Sequence, residues 1–248
     1  MASTSETGHA KNVSNFDELV SFVAGYGTTY NPSKASIKLT ALQTLSTNAK
    51  NAISAVNSAS PSYSNAVAAR ESAFESLSKL TTRIINALKA TDATPQIIDS
   101  AKTIIRKIQG KRATSLKTDE EKTALIAEGK EAKEISTSQM SYDNRIDNLD
   151  KLIKLLTSVT IYVPNESDLK IASLTTLYTD LKTKNTAVLT ATIPLSNSRL
   201  TRNDVLYKAN TGLVDIAMDT KSYIKSIFGA TSPQYKQVSK LAFKAVKV

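Results

Sequence analysis

The chain has no cysteine and no tryptophan among its 248 residues, one histidine, and only seven glycines. Absent cysteine removes disulfides, thiolate metal sites and cysteine nucleophiles. The lone histidine, His9, sits in the polar start Met1–Ala10, where a disordered tail is expected. With no second histidine, the common zinc and Ser-His-Asp arrangements cannot be assembled. Gly25-Tyr26-Gly27 is the only Gly-x-Gly. It lacks a third glycine and an evident preceding strand, so it reads as a helix-ending turn rather than a dinucleotide fingerprint. No phosphate loop of the Gly-x-x-x-x-Gly-Lys type and no Gly-x-Ser-x-Gly elbow is present. These gaps predict no cofactor, no metal and no enzymatic activity. There is no apolar run of about 18 residues, the length a spanning helix needs. The polar start also lacks the apolar core of a signal peptide. The cytoplasm is therefore the expected compartment, with signal-independent export left open.

What is present is ordinary in amount and unusual in arrangement. Hydrophobic residues make up 41% and charged residues 22%, typical of a folded chain. The formal net charge is +10, a balance that suits anionic partners or simple solubility. After Asp219 there is no acidic residue, while Lys221, Lys225, Lys236, Lys240, Lys244 and Lys247 follow.

The six prolines fall into two sets of three: Pro32, Pro61 and Pro95, then Pro164, Pro194 and Pro233. The first two pairs are offset by 132 and 133 residues and the third by 138. Between them Lys38, Leu42, Leu45, Lys50 and Arg70 recur as Lys170, Leu174, Leu177, Lys182 and Arg202. Upstream, Asn15 to Leu19 recurs as Asn148 to Leu152. The spacing predicts a tandem duplication, with copies at 15–109 and 148–248 and extra residues in the second between Asp215 and Pro233.

Long Ala/Leu/Lys/Ser/Thr stretches with few breakers predict an all-α protein. Each copy reads as a four-helix unit of roughly 95–100 residues, near 15–23, 33–58, 62–90 and 95–109, then 146–158, 165–191, 196–228 and 233–247. Pro32, Pro95, Pro164 and Pro233 suit helix starts, where a missing N–H costs nothing. Apolar residues recur at three- and four-residue steps, as in Leu42, Leu45, Ala49, Ile53 and Val56. A helix over 33–58 would be about 39 Å long, so an elongated bundle is expected. The remaining stretches are a disordered tail over 1–14 and a charged helical connector over 110–147. In the connector Thr118-Asp119-Glu120-Glu121 resembles a capped helix start. Glu128, Glu131 and Glu134 share helical spacing, but lysines interleave them and no partner helix carries a Glu-x-x-His pattern. A solvated face is the expectation there.

The strongest surface signal is basic. Lys236, Lys240 and Lys244 at four-residue steps would line one face of a helix over 233–247. In the first copy Lys102 and Arg106 take the matching places, and Lys107, Lys111 and Arg112 extend the patch. Such a face could grip a phosphate-bearing partner independently of sequence, or be simply solvated.

Three strings stand out: Tyr-Asn-Pro-Ser at 30–33, Thr-Ile-Ile-Arg-Lys-Ile-Gln-Gly-Lys-Arg-Ala at 103–113, and Phe-Gly-Ala-Thr-Ser-Pro-Gln-Tyr-Lys-Gln-Val at 228–238. Together they resemble a family of bacterial all-helical proteins of similar length, which often occur as several paralogues. The resemblance implies a structural or accessory role and brings no activity with it. The expected function is a non-enzymatic scaffold that self-associates or binds a protein partner through helical surfaces. The alternatives are polyanion or nucleic-acid binding through the basic faces, and action on an anionic membrane surface without a transmembrane span.

Overall fold

The structure is a computed structural model, and it describes residues 8–111, 118–128 and 140–245. Among the described residues the chain is all-helical, with no strand. The helices are α1 (His9–Gly25), α2 (Leu39–Glu75), α3 (Leu77–Lys89), α4 (Pro95–Ile108), α5 (Asp119–Ala127), α6 (Tyr142–Thr157), α7 (Ile171–Tyr207), α8 (Leu213–Phe228) and α9 (Pro233–Ser239). Short 3-10 turns at Ala35–Ile37 and Ser167–Leu169 precede α2 and α7.

The chain divides into two compact units whose bounds differ from those of the copies expected from the sequence. The first joins 1–64 to 190–248, and the second is 65–189. Helices α2 and α7 each contribute to both.

In the first unit the core is formed by α1, the start of α2, the end of α7, α8 and α9. Phe16, Leu19, Leu42, Ala49, Leu206, Leu213, Ile216, Ile224 and Val238 are buried together. Helix α1 begins six residues before the sequence reading placed it. Residues 8–14 lie in or beside the helix rather than in a tail, because Val13, Phe16, Leu19, Val20 and Val23 make one continuous buried face. Tyr26 closes the helix and Gly27 follows at φ 55°, a left-handed backbone that suits glycine, as expected of Gly-Tyr-Gly.

In the second unit α3, α4 and α6 pack with the end of α2 and the start of α7. Phe74, Leu77, Ile84, Leu88, Ile108, Leu149, Leu152, Leu156, Leu174 and Leu181 form its core. Helix α6 starts at Tyr142, where Ser141 Oγ accepts the Asn144 N–H at 3.2 Å. Asp119 opens α5 as the connector sequence suggested. Glu128 is exposed, whereas Glu131 and Glu134 lie outside the described residues.

The two units use matching positions. Phe16, Leu19, Leu42 and Ala49 are fully buried in the first, and Leu149, Leu152, Leu174 and Leu181 in the second. Tyr30 donates its hydroxyl to the Ile37 carbonyl at 2.6 Å, and Tyr162 donates to the Leu169 carbonyl at 3.1 Å. Leu77 and Leu88 of α3 are buried as Leu213 and Ile224 of α8 are, both 136 residues on.

Several helix boundaries differ from expectation. Pro32 and Pro164 do not start helices. Each stands before a 3-10 turn, and α2 and α7 begin only at Leu39 and Ile171. Breaks were expected near Pro61 and Pro194, yet α2 and α7 run through them as helices of 37 residues each. A proline inside a helix loses one hydrogen bond and crowds the preceding turn. Burial on both sides outweighs that cost: Leu42 and Ala49 before Pro61 and Phe74 after it, Leu174 and Leu181 before Pro194 and Leu206 after it. The last difference is α9. A helix over 233–247 was expected, but α9 ends at Ser239 and residues 241–245 are not helical.

Candidate interaction surfaces

The short α9 follows from what holds the chain beyond it. Asn12 Nδ2 donates to the Lys244 carbonyl at 2.7 Å, and the Lys244 N–H donates back to Asn12 Oδ1 at 3.2 Å. Asn15 Nδ2 donates to the Ala242 carbonyl at 2.8 Å. Lys221 Nζ donates to the carbonyls of Leu241 at 2.8 Å and Ser239 at 3.3 Å. These donors take carbonyls that a continuing helix would need. Burial depresses the pKa of the Lys221 ammonium, whose Nζ also lies 5.6 Å from the Phe243 ring centre. In the sequence Asn12 falls within the expected tail, and Asn15 opens the first copy. Only their one-turn spacing on the buried side of α1 could have marked them as a strap.

The basic candidates therefore do not form the expected pair of stripes. Lys236 lies on α9 and Lys240 caps it, both exposed, but Lys244 has left the helix. On α4, Lys102 is engaged with Asp99 at 2.8 Å, and Arg106 is half-buried. Lys107 and Lys111 are exposed, and Arg112 lies outside the described residues. The α4 set belongs to the second compact unit and the α9 set to the first.

His9, placed in a tail by its sequence context, is instead part of α1. Its Nδ1 lies 2.7 Å from the Tyr207 hydroxyl, which also accepts from Asn12 Nδ2 at 3.3 Å. Since Asn12 donates to that oxygen, the Tyr207 proton is available to His9 Nδ1. Burial and the nearby Arg202 charge lower the His9 pKa, and burial raises that of Tyr207. Both are thus neutral near pH 7. An open hollow of about 320 Å³ beside them is lined by Lys11, Ile53, Val56, Asn57 and Arg202. Among the described residues its lining holds no carboxylate.

In the second unit Arg70 lies 3.9 Å from the Tyr142 ring centre, and Arg145 lies 5.0 Å from that of Phe74. Tyr142 and Phe74 meet edge to face at 4.8 Å. Arg70 donates to Asn185 Oδ1 at 3.2 Å, and Asn185 donates to Asp143 at 2.7 Å. Arg145 donates to the Phe74 carbonyl at 3.3 Å. Burial lowers the Arg145 pKa, and the Nε atoms of both arginines are buried without a partner among the described residues. This alternation of cation and ring stiffens the joint between α2 and α6.

No group of three or more His, Cys, Asp or Glu side chains that could hold a metal occurs among the described residues. No described helix is long and apolar enough to cross a membrane. Three of the large apolar side chains left outside the cores lie on α7. Ile193 and Leu200 are 62% and 63% exposed, and their seven-residue spacing puts them on one side of the helix. Leu189, in the second unit, is 60% exposed.

Comparison of the chain with known protein families, with curated proteins and with solved structures finds no match to any of them. The family resemblance in the three sequence strings therefore gains no support from these comparisons.

Proposed function

We propose that the protein is a non-enzymatic helical scaffold that self-associates through the exposed apolar side of α7. In the same reading the chain is a tandem duplication whose two copies exchange their C-terminal halves. The duplication draws support from the matched buried positions, the paired tyrosine-to-carbonyl bonds, and two 37-residue helices carrying Pro61 and Pro194 at equivalent places.

The observation that carries the function is the exposure of Ile193 and Leu200 on the first unit's part of α7. Large aliphatic side chains at this exposure, on one face of a long helix, favour burial against a partner. The segment between them, Pro194-Leu195-Ser196-Asn197-Ser198-Arg199, holds one charged residue. A second copy of the chain therefore meets little like-charge repulsion there.

Sedimentation velocity over a wide concentration range tests this reading. The unchanged chain is expected to form dimers or larger species, and Ile193→Asp with Leu200→Asp to leave monomers of unchanged helicity. A strictly monomeric unchanged chain would overturn the assembly reading. Polyanion binding draws less support, because Lys102 is engaged with Asp99 and the α9 stripe stops at Lys240.

A further inference from the structure

Lys34, just before the turn at Ala35–Ile37, pairs with Asp219 on α8 in the first unit. In the second unit Asp168, in the turn at Ser167–Leu169, pairs with Arg83 on α3, with Arg83 Nη2 3.1 Å from Asp168 Oδ1. Glu166 adds its charge at the same guanidinium. The two contacts occupy corresponding places. Glu166 stands 132 residues after Lys34, the offset that relates Tyr30 to Tyr162. Asp219 stands 136 after Arg83, the offset that relates Leu77 to Leu213 and Leu88 to Ile224. The sign is inverted at both members. The turn is basic and the helix acidic in one unit, and the turn is acidic and the helix basic in the other.

We propose that these five side chains, Lys34, Arg83, Glu166, Asp168 and Asp219, form a charge code that matches each half of the chain to the other half and rejects pairing within a half. The proposal rests on the duplication reading above. If each half closed on itself, Lys34 would face Arg83, and Glu166 and Asp168 would face Asp219. Both contacts would then be between like charges. The apolar cores discriminate poorly between the two arrangements, because equivalent positions carry similar side chains: Leu19 and Leu152, Leu42 and Leu174, Leu77 and Leu213. Each ion pair is about half exposed, so each is a weak stabiliser. Discrimination depends on a difference, however, and here two attractions stand against two repulsions. The continuity of α2 and α7 through Pro61 and Pro194 acts in the same direction. A helix that does not break at the proline carries the rest of its copy into the other unit.

The test uses the full chain and thermal melts. Arg83→Asp alone and Asp219→Lys alone are each expected to lower Tm by about 2–4 °C, the shift that follows from losing a modest interaction in a chain of this size. The matched doubles, Arg83→Asp with Asp168→Lys and Lys34→Asp with Asp219→Lys, recover most of the loss. The crossed double, Arg83→Asp with Asp219→Lys, recovers none while the halves remain exchanged, because both contacts then join like charges, whereas both within-half contacts become attractive. A second readout exploits the absence of cysteine. The Tyr26 and Phe228 rings lie 5.0 Å apart in the first unit. Tyr26→Cys with Phe228→Cys is expected to be bridged by a short bismaleimide in the otherwise unchanged chain, and less so in the crossed double. A crossed double as stable as the matched ones, with the bridge intact, overturns the charge code while the exchanged halves stand. No intramolecular bridge in the otherwise unchanged chain overturns the exchange itself.

Discussion

Asn12 shows how one side chain can decide where a helix ends. It is 3% exposed, and its amide both donates to and accepts from the backbone of Lys244, as a neighbouring peptide would. Asn12→Leu would leave the Lys244 N–H and carbonyl without these partners. The expected cost is about 1–3 kcal/mol in urea denaturation, with faster hydrogen exchange at the Lys244 amide. Unchanged protection at that amide would mean that the strap is held elsewhere. Tyr30 and Tyr162 allow a second prediction, in pH. Burial pushes each hydroxyl up to about 12 from the usual 10. Between those values the folded state keeps protons that the unfolded state releases. The stability these groups contribute is therefore fully present below pH 10 and is lost as pH rises toward 12. Absorbance of tyrosinate should show two of the nine tyrosines ionising only with unfolding, and Tyr30→Phe with Tyr162→Phe should flatten the alkaline fall in stability. Asn12 and His9 were hidden in the sequence because polar letters near a terminus look the same whether solvated or buried. The two tyrosines share the 132-residue offset of Pro32 and Pro164, which marks them as a pair but not as buried.

Among the elements, helix identity was legible and helix continuity was not. The three- and four-residue spacing from Leu42 to Val56 and the proline starts at Pro95 and Pro233 placed helices correctly. Local propensity also argued for breaks at Pro61 and Pro194. It could not register that residues on both sides of each proline are buried in different cores, where tertiary packing overrides the local penalty. An internal proline costs a helix about 3 kcal/mol relative to alanine in peptides. Pro61→Ala is therefore expected to stabilise the chain by up to about 3 kcal/mol in urea denaturation, with unchanged sedimentation. Destabilisation would show that the proline shapes α2 in a way the packing requires. The expected stripe on α9 failed for the opposite reason. The apolar period of Val238, Leu241 and Ala245 is helical in spacing, but side chains of α1 and α8 take the carbonyls from Ser239 to Lys244 that the helix would have used.

At the scale of the whole molecule, the proline offsets carried the duplication reading but gave no sign of the partition into units. Sequence proximity favours pairing within a copy. The first core instead joins Phe16 and Leu42 to Leu213 and Ile224, and the second joins Leu77 and Leu88 to Leu149 and Leu174. Apolar periodicity reports which face of a helix is buried but not which partner buries it, and on the proposed duplication equivalent positions make the partners nearly interchangeable. The partition has a thermodynamic consequence. Helices α2 and α7 each supply residues to both cores, so melting one core removes the support of a helix that the other core also uses. Helix formation is cooperative along its length, which passes the loss on. Phe16 is fully buried, and Phe16→Ala is expected to cost about 3–5 kcal/mol. Calorimetry should show the whole chain melting earlier in one transition, with equal calorimetric and van't Hoff enthalpies. Two separated transitions, with only the lower one moved by Phe16→Ala, would show that the shared helices do not couple the two cores.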